Sequence, residues 1–246
     1  MKRFTWQIVL GLSLIVASTL LYVEQIHIFH APRDTFFYLF QDLAFVPIQV
    51  LLVTVIVDRV LRIRERMALL KKLNMVIGSF FSEVGTGLMK FFLEFDEDIG
   101  SIREKLLVRN DWTDQQFSAC LKDVKAYAVR MNCGRGALAA LKEFMAGRRE
   151  FLLGLLENQN LLEHETFTEL LWAVFHLMEE LSVRENVANL TRPDCEHIAG
   201  DIKRAYVMLI AEWLAYMKHL KHEYPYLFSL AVRMNPFDSN ASPEVK

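Results

Sequence analysis

The chain has 246 residues, 53% of them hydrophobic, and a formal net charge of −2. A balance so close to neutral excludes the broad electropositive field of a nucleic-acid-binding domain, so no nucleic acid is expected as a partner. The length leaves room for a membrane hairpin and one modest domain, and the low Gly (10) and Pro (6) content favours long helices over strands and turns.

The apolar excess gathers near the N-terminus. Phe4–Val23 reads FTWQIVLGLSLIVASTLLYV, twenty residues without a charge. At about 1.5 Å per residue this spans roughly 30 Å, the thickness of a bilayer's hydrocarbon core. Lys2 and Arg3 precede the run and Glu24 follows it. A cleaved signal peptide shares the basic start, but STLLYVEQ places large residues where cleavage needs small ones, so the run reads as an uncleaved span.

The second run, Phe36–Val57, contains Gln41 and Asp42. Starting it at Leu43 would leave only about 22 Å of helix, too short to cross, so it begins near Thr35 with Asp42 inside the outer interface. Arg59, Arg62, Arg64, Arg66, Lys71 and Lys72 follow it, whereas the loop between the runs holds Arg33 alone. Excess Lys and Arg mark the cytoplasmic flank, so the N-terminus and the C-terminal domain are both expected in the cytoplasm. Asp42 and Gln49 are the candidate intramembrane polar residues, one side of a helix that Pro47 could kink. Interfacial placement is the plainer reading of Asp42.

Residues 58–100 read as a basic juxtamembrane amphipathic helix. Val60, Ile63, Met67, Leu70, Asn74 and Ile77 recur at spacings of three and four, the pattern of a coiled-coil seam in which one Asn fixes register. The same stripe, continued through Phe81, Val84, Leu88, Phe91 and Phe95, also suits a helix packed on its own domain. Both readings stay open over Val60–Ile77.

Residues 101–238 read as a helical bundle. Asn110–Thr113 offers caps for a helix ending before Cys133. A second runs from Ala137 to about Glu157 with a bend near Gly147, and a third from about Glu163 to Val183. Pro193 opens a fourth that reaches about His222, and Tyr226–Met234 forms a short last element. Residues 239–246 are polar and expected to be disordered. The fold class is therefore all-α: a two-helix transmembrane hairpin over 1–57, the juxtamembrane helix, and the bundle.

The arrangement resembles uncharacterised bacterial two-span inner-membrane proteins with a helical cytoplasmic domain. DTFFYLFQDLAFVPIQVLLVT (Asp34–Thr54), KLNMVIGSFFSEVG (Lys72–Gly85) and YPYLFSLAVRMNPFD (Tyr224–Asp238) carry the likeness, about a fifth of the chain. It implies a bacterial inner membrane and no activity.

Motifs of catalysis are missing. There is no phosphate-binding loop, nucleophile elbow or kinase signature, and Glu94–Gly100 fits no register of a calcium loop. His176 with Glu169, Glu179 and Glu180, His197 with Asp201, and Glu212 with His219 stand at helical spacings that could bring ligands together. No complete ligand set is visible, so these histidines read as structural or surface groups, and neither metal nor cofactor is expected. The loop cluster Glu24, His27, His30 and Asp34 reads as hydrated surface. Cys120, Cys133 and Cys195 are odd in number and lack a C-x-x-C spacing, which fits reduced thiols better than a disulfide framework. The expected function is a non-enzymatic membrane-anchored interaction or signalling scaffold, a homo-oligomer with a cytoplasmic protein partner. The alternative is an oligomeric channel or transporter-like protein whose second spans line a path past Asp42, Gln49 and Thr54.

Overall fold

The computed structural model describes residues 2–245 apart from 159, 160, 162 and 163, and leaves out the side chains of residues 2–5, 7, 66 and 68–71. The protein is all-α: among the described residues there are ten α-helices and no strand. Two compact units divide it, Met1–Arg66 and Met67–Lys246.

In the first unit, α1 (Lys2–Phe29) is followed by α2, which runs from Pro32 to Phe80 and so contributes to both units. His30 adopts a left-handed φ of 49°, and its N–H donates to the Ile26 carbonyl at 3.1 Å, ending α1. Pro32 then opens α2, earlier than Thr35, because proline has its φ already set for a first helical turn. Pro47 lies inside α2 without interrupting it. The apolar side chains of this unit stay exposed: Leu14, Leu21, Phe40, Leu51 and Val55 all face outward.

The second unit contains the core. The last turns of α2 bury Leu73, Ile77 and Phe80, and a π-helical turn, Phe81–Gly85, leads into α3 (Thr86–Phe95). Thr86 Oγ1 donates to the Phe81 carbonyl at 2.8 Å across that turn. Short α4 (Gly100–Arg103) passes through a tight turn at Glu104–Leu106. Thr113 then caps α5 (Asp114–Ala126) reciprocally with Gln116, as the cap expected at Asn110–Thr113 requires. The helix expected over Ala137–Glu157 is two, α6 (Leu138–Ala146) and α7 (Arg149–Leu156), parted at Gly147. α8 (Glu165–Ser182), α9 (Arg192–Glu223) and α10 (Pro225–Arg233) complete the order; the expected start at Glu163 lies outside the described residues.

α9 is the axis of this unit, packing on α3, α5, α8 and α10. Its buried residues Ile198, Ile202, Tyr206, Leu209, Trp213, Met217 and Leu220 recur at three and four, as do Phe167, Leu170, Val174, Leu177 and Leu181 of α8. That recurrence is the apolar face of a helix turned to a core. Asp96 and Met131 form an isolated antiparallel pairing that joins the end of α3 to the loop after α5. Beyond α10, Phe237 is buried and Asn235 donates through Nδ2 to the Leu106 carbonyl at 2.9 Å. The polar tail, expected to be disordered, folds back instead: Ser242 N–H donates to the Arg233 carbonyl at 3.1 Å, and Arg233 Nε to the Pro243 carbonyl at 3.2 Å.

Candidate functional site

The residues singled out by sequence fall in different surroundings. Asp42 and Gln49 are both exposed on α2. Val60, Ile63 and Met67 are exposed as well, while the Leu70 side chain lies outside the described residues. Ile77 is buried in the core of the helical unit, and Asn74 Nδ2 lies 3.2 Å from Nδ1 of His219 on α9. The stripe is therefore divided: its first part is free to meet another surface, and its last part already has partners within the chain. Packing on the chain's own domain, one of the two readings that sequence left open, holds for the last part.

The histidine and carboxylate pairs recognised separately come together across α8 and α9. Helical spacing places His176 and Glu180 on one side of α8, with Arg184 just past its end, and Asp194, His197, Asp201 and Arg204 along the facing side of α9. His176 Nε2 and His197 Nε2 each lie 3.5 Å from Asp201 Oδ2, and they lie 3.9 and 3.5 Å from the two oxygens of Glu180. Asp201 is 4% exposed, and its Oδ2 accepts no hydrogen bond. Arg204 Nη1 approaches Asp201 Oδ1 at 3.5 Å. Arg184 bridges Glu180 at 2.7 Å and Asp194 at 2.6 Å. Those hydrogen bonds hold both carboxyls below their ordinary values and push the guanidinium up. Glu169 and Glu179 do not join; Glu179 pairs with Arg149 at 2.5 Å. Glu212 is buried in α9, whereas His219 of its expected pair turns to Asn74.

A groove forms a second feature. One part, about 400 Å³, is lined by Gly78, Phe81, Trp213, Tyr216, Leu230 and Met234 among others. A neighbouring part of about 470 Å³ is lined by Asn74, Met75, Tyr216, His219, Tyr224 and Leu227 among others. Gly78 keeps it open, since a Cβ there would stand 2.9 Å from the Tyr216 hydroxyl. Along its rim Leu227 and Leu230 of α10 and Met234 just after it remain exposed, as does Met75.

Two other polar sites are internal. Asp96 is buried and accepts from the Tyr127 hydroxyl at 2.9 Å; burial raises both groups' pKa values. Cys133 and Cys195 form a disulfide with Cα atoms 5.7 Å apart, which corrects the expectation of three reduced thiols. The spacing of 62 residues gave no sign of it, because the fold alone brings the loop after α5 to the first turn of α9. Cys120 stays free, and burial pushes its thiol up to about 11.

The chain thus falls in a class of two-part helical proteins, an apolar helix pair followed by a packed helical domain. Two family models match those parts. "MJ1433, N-terminal helical domain" covers residues 2–61, and "Uncharacterized protein MJ1433, C-terminal helical domain" covers 69–233. The chain belongs to the MJ1433 family. Its relative, the uncharacterized protein MJ1433 of Methanocaldococcus jannaschii, is 44% identical over 240 residues, which cover 98% of this chain and 96% of the relative. No solved structure matches. The relative is archaeal, which departs from the bacterial source implied by the resemblance. The interval between the two family matches contains the boundary between the compact units.

Proposed function

We propose that the protein is a membrane-anchored interaction module: α1 and the apolar part of α2 cross the bilayer as a hairpin, and the part on the cytoplasmic side binds a second protein. One observation carries the anchor. Ile8–Phe29 and Pro32–Glu65 are long and apolar enough to span a membrane, and their apolar side chains stay exposed. So much apolar surface is stable only against lipid or another protein. The polar sequence from Asp58 onward ends the second crossing. Lys72–Phe95 meets the same measure of length and composition, but nearly half of it is buried in the helical unit, which makes it a core element.

Orientation rests on the basic flank. Flanking charge acts during insertion, whereas a disulfide needs only adjacent thiols and an oxidant. The cytoplasmic assignment therefore follows Arg59 to Lys72 rather than the Cys133–Cys195 bond. The partner most in keeping with the surface is a second copy, docked along Val60, Ile63 and Met67, whose exposed side chains keep the spacing of a seam.

Cross-linking tests this reading on the full chain in mild detergent. Cysteine at Ile63 should join two protomers in good yield, and cysteine at Glu65, two residues further round the helix, should do so poorly. The native cysteines interfere little, because Cys120 is buried and the other two are bonded. Equal yields at the two positions, or a monomer by light scattering, would remove the self-association.

A further inference from the structure

We infer that the Cys133–Cys195 disulfide is a reversible redox latch, opened by a small dithiol that attacks Cys195 while the helical unit stays folded. Access is the first observation. Both cysteines line an open cleft of about 480 Å³. Cys195 is half-buried there, whereas Cys133 is 6% exposed. Disulfides that solvent reaches are the labile kind, and access decides which sulfur a thiolate attacks. The second observation is that other contacts hold both sides of the bond. In the loop after α5, Arg130 Nε and Nη2 donate to Asp98 at 2.6 and 2.8 Å. Glu97 N–H donates to the Arg130 carbonyl and Asn132 N–H to the Phe95 carbonyl, each at 2.9 Å. On the other side Ile198, Ile202 and Tyr206 anchor α9 in the core. Opening the bond therefore leaves both segments in place.

What the bond adds is local. Residues 183–191 before α9 form no regular helix, and Thr191 makes no side-chain cap. The first turn of α9 is thus held by the disulfide and by the Arg184–Asp194 pair. The exchange chemistry balances without any further reactant. One thiolate of the dithiol attacks Cys195 Sγ, the sulfur–sulfur bond breaks, and the electron pair leaves on Cys133 Sγ, which takes up a proton. The dithiol's second thiolate then closes on its own bonded sulfur and releases Cys195, which is protonated in turn. The protein gains two electrons and two protons, the dithiol becomes a disulfide, and an oxidised thiol reverses the steps. Both cysteines and the groups that hold them lie within the helical unit, so the latch does not depend on which side of the membrane that unit faces.

Dithiothreitol is the probe. The full chain in detergent is reduced at rising dithiothreitol concentration, its thiols are trapped with a maleimide, and the labels are located by peptide mass. Cys133 and Cys195 should be labelled at a rate proportional to dithiothreitol. Cys120 should stay unlabelled, because it is buried and so reports that the unit is folded. Oxidised glutathione should restore the bond within the chain. In the reduced protein, amide exchange should quicken over 192–198 and stay unchanged over 209–220. Hydroxyethyl disulfide should modify Cys195 in Cys133→Ser about tenfold faster than Cys133 in Cys195→Ser. Should a serine variant lose its helical circular dichroism, the early mixed disulfide of 2-mercaptoethanol on the wild type, trapped in acid, takes its place and should sit on Cys195. Reduction that levels off at the rate at which Cys120 becomes labelled would show a bond that opens only through unfolding. That result, unchanged exchange over 192–198, or an adduct favouring Cys133 would overturn the latch.

Discussion

Pro32–Glu65 and Lys72–Phe95 are both long and apolar enough to cross a membrane, yet the first is exposed and the second is nearly half buried. The first exposes Phe40, Leu51 and Val57 around its whole circumference. The second turns Leu73, Ile77, Phe80, Val84, Leu88, Phe92 and Phe95 to a core shared with α8 and α9, and leaves Lys72, Met75 and Lys90 outside. Hydropathy alone cannot separate them; periodicity can. An all-round apolar helix needs lipid, whereas a helix with one apolar stripe needs a protein neighbour.

The largest expected effect sharpens this contrast. Phe92→Ala should cost the helical domain about 3–5 kcal/mol by opening a cavity in a packed core, seen as a lower denaturant midpoint by near-ultraviolet circular dichroism. Phe40→Ala should leave that transition in place. Loss of the transition in both variants would show that the two stretches share one core.

Next in size, Val53→Arg places a charge in the middle of the exposed apolar stretch. It should disfavour insertion by about 2.5–3.5 kcal/mol, read as protein released from membranes by alkaline carbonate. Full retention would mean that Val53 does not face lipid.

Glycines give a smaller and cleaner test. A Cβ on Gly87 would stand 2.5 Å from the Phe144 ring, whereas one on Gly11 would meet nothing within 4 Å. Gly87→Ala should therefore cost about 1–3 kcal/mol through overpacking, and Gly11→Ala should leave the unfolding of the helical domain unchanged. Equal midpoints would place the Phe144 ring elsewhere.

The smallest effect is electrostatic. Arg184 holds Glu180 and Asp194 below their ordinary values of 4.5 and 3.8. A depressed carboxyl contributes stability above its unfolded pKa and loses it as pH falls through the folded one. The melting temperature of Arg184→Ala should thus lie below that of the wild type at neutral pH, and the gap should close as pH falls below that range. A gap that persists in acid would assign the loss to packing rather than charge.

Much of this fold is legible in the sequence because its signals are local. Thr113 with Gln116, Pro193 and Pro225 mark helix starts through their own chemistry, and the two apolar runs declare their length. What is not legible depends on which faces meet. Asn74 reads as a seam residue until His219, 145 positions away, is brought beside it. Cys133 and Cys195 read as isolated thiols for the same reason. The pairs His176–Glu180 and His197–Asp201 each look like surface groups, and only the crossing of α8 with α9 makes them one cluster. The tail's return to Arg233 rests on backbone hydrogen bonds that composition does not encode.

Topology tests the central claim most directly. The full chain is expressed in a bacterial host with alkaline phosphatase joined after His30 in one fusion and after Lys72 in another. The hairpin predicts activity after His30, where the turn between α1 and α2 lies outside, and none after Lys72, where the helical domain begins inside. Activity after Lys72, or none at either position with both fusions stably produced, would contradict a hairpin that anchors a cytoplasmic domain.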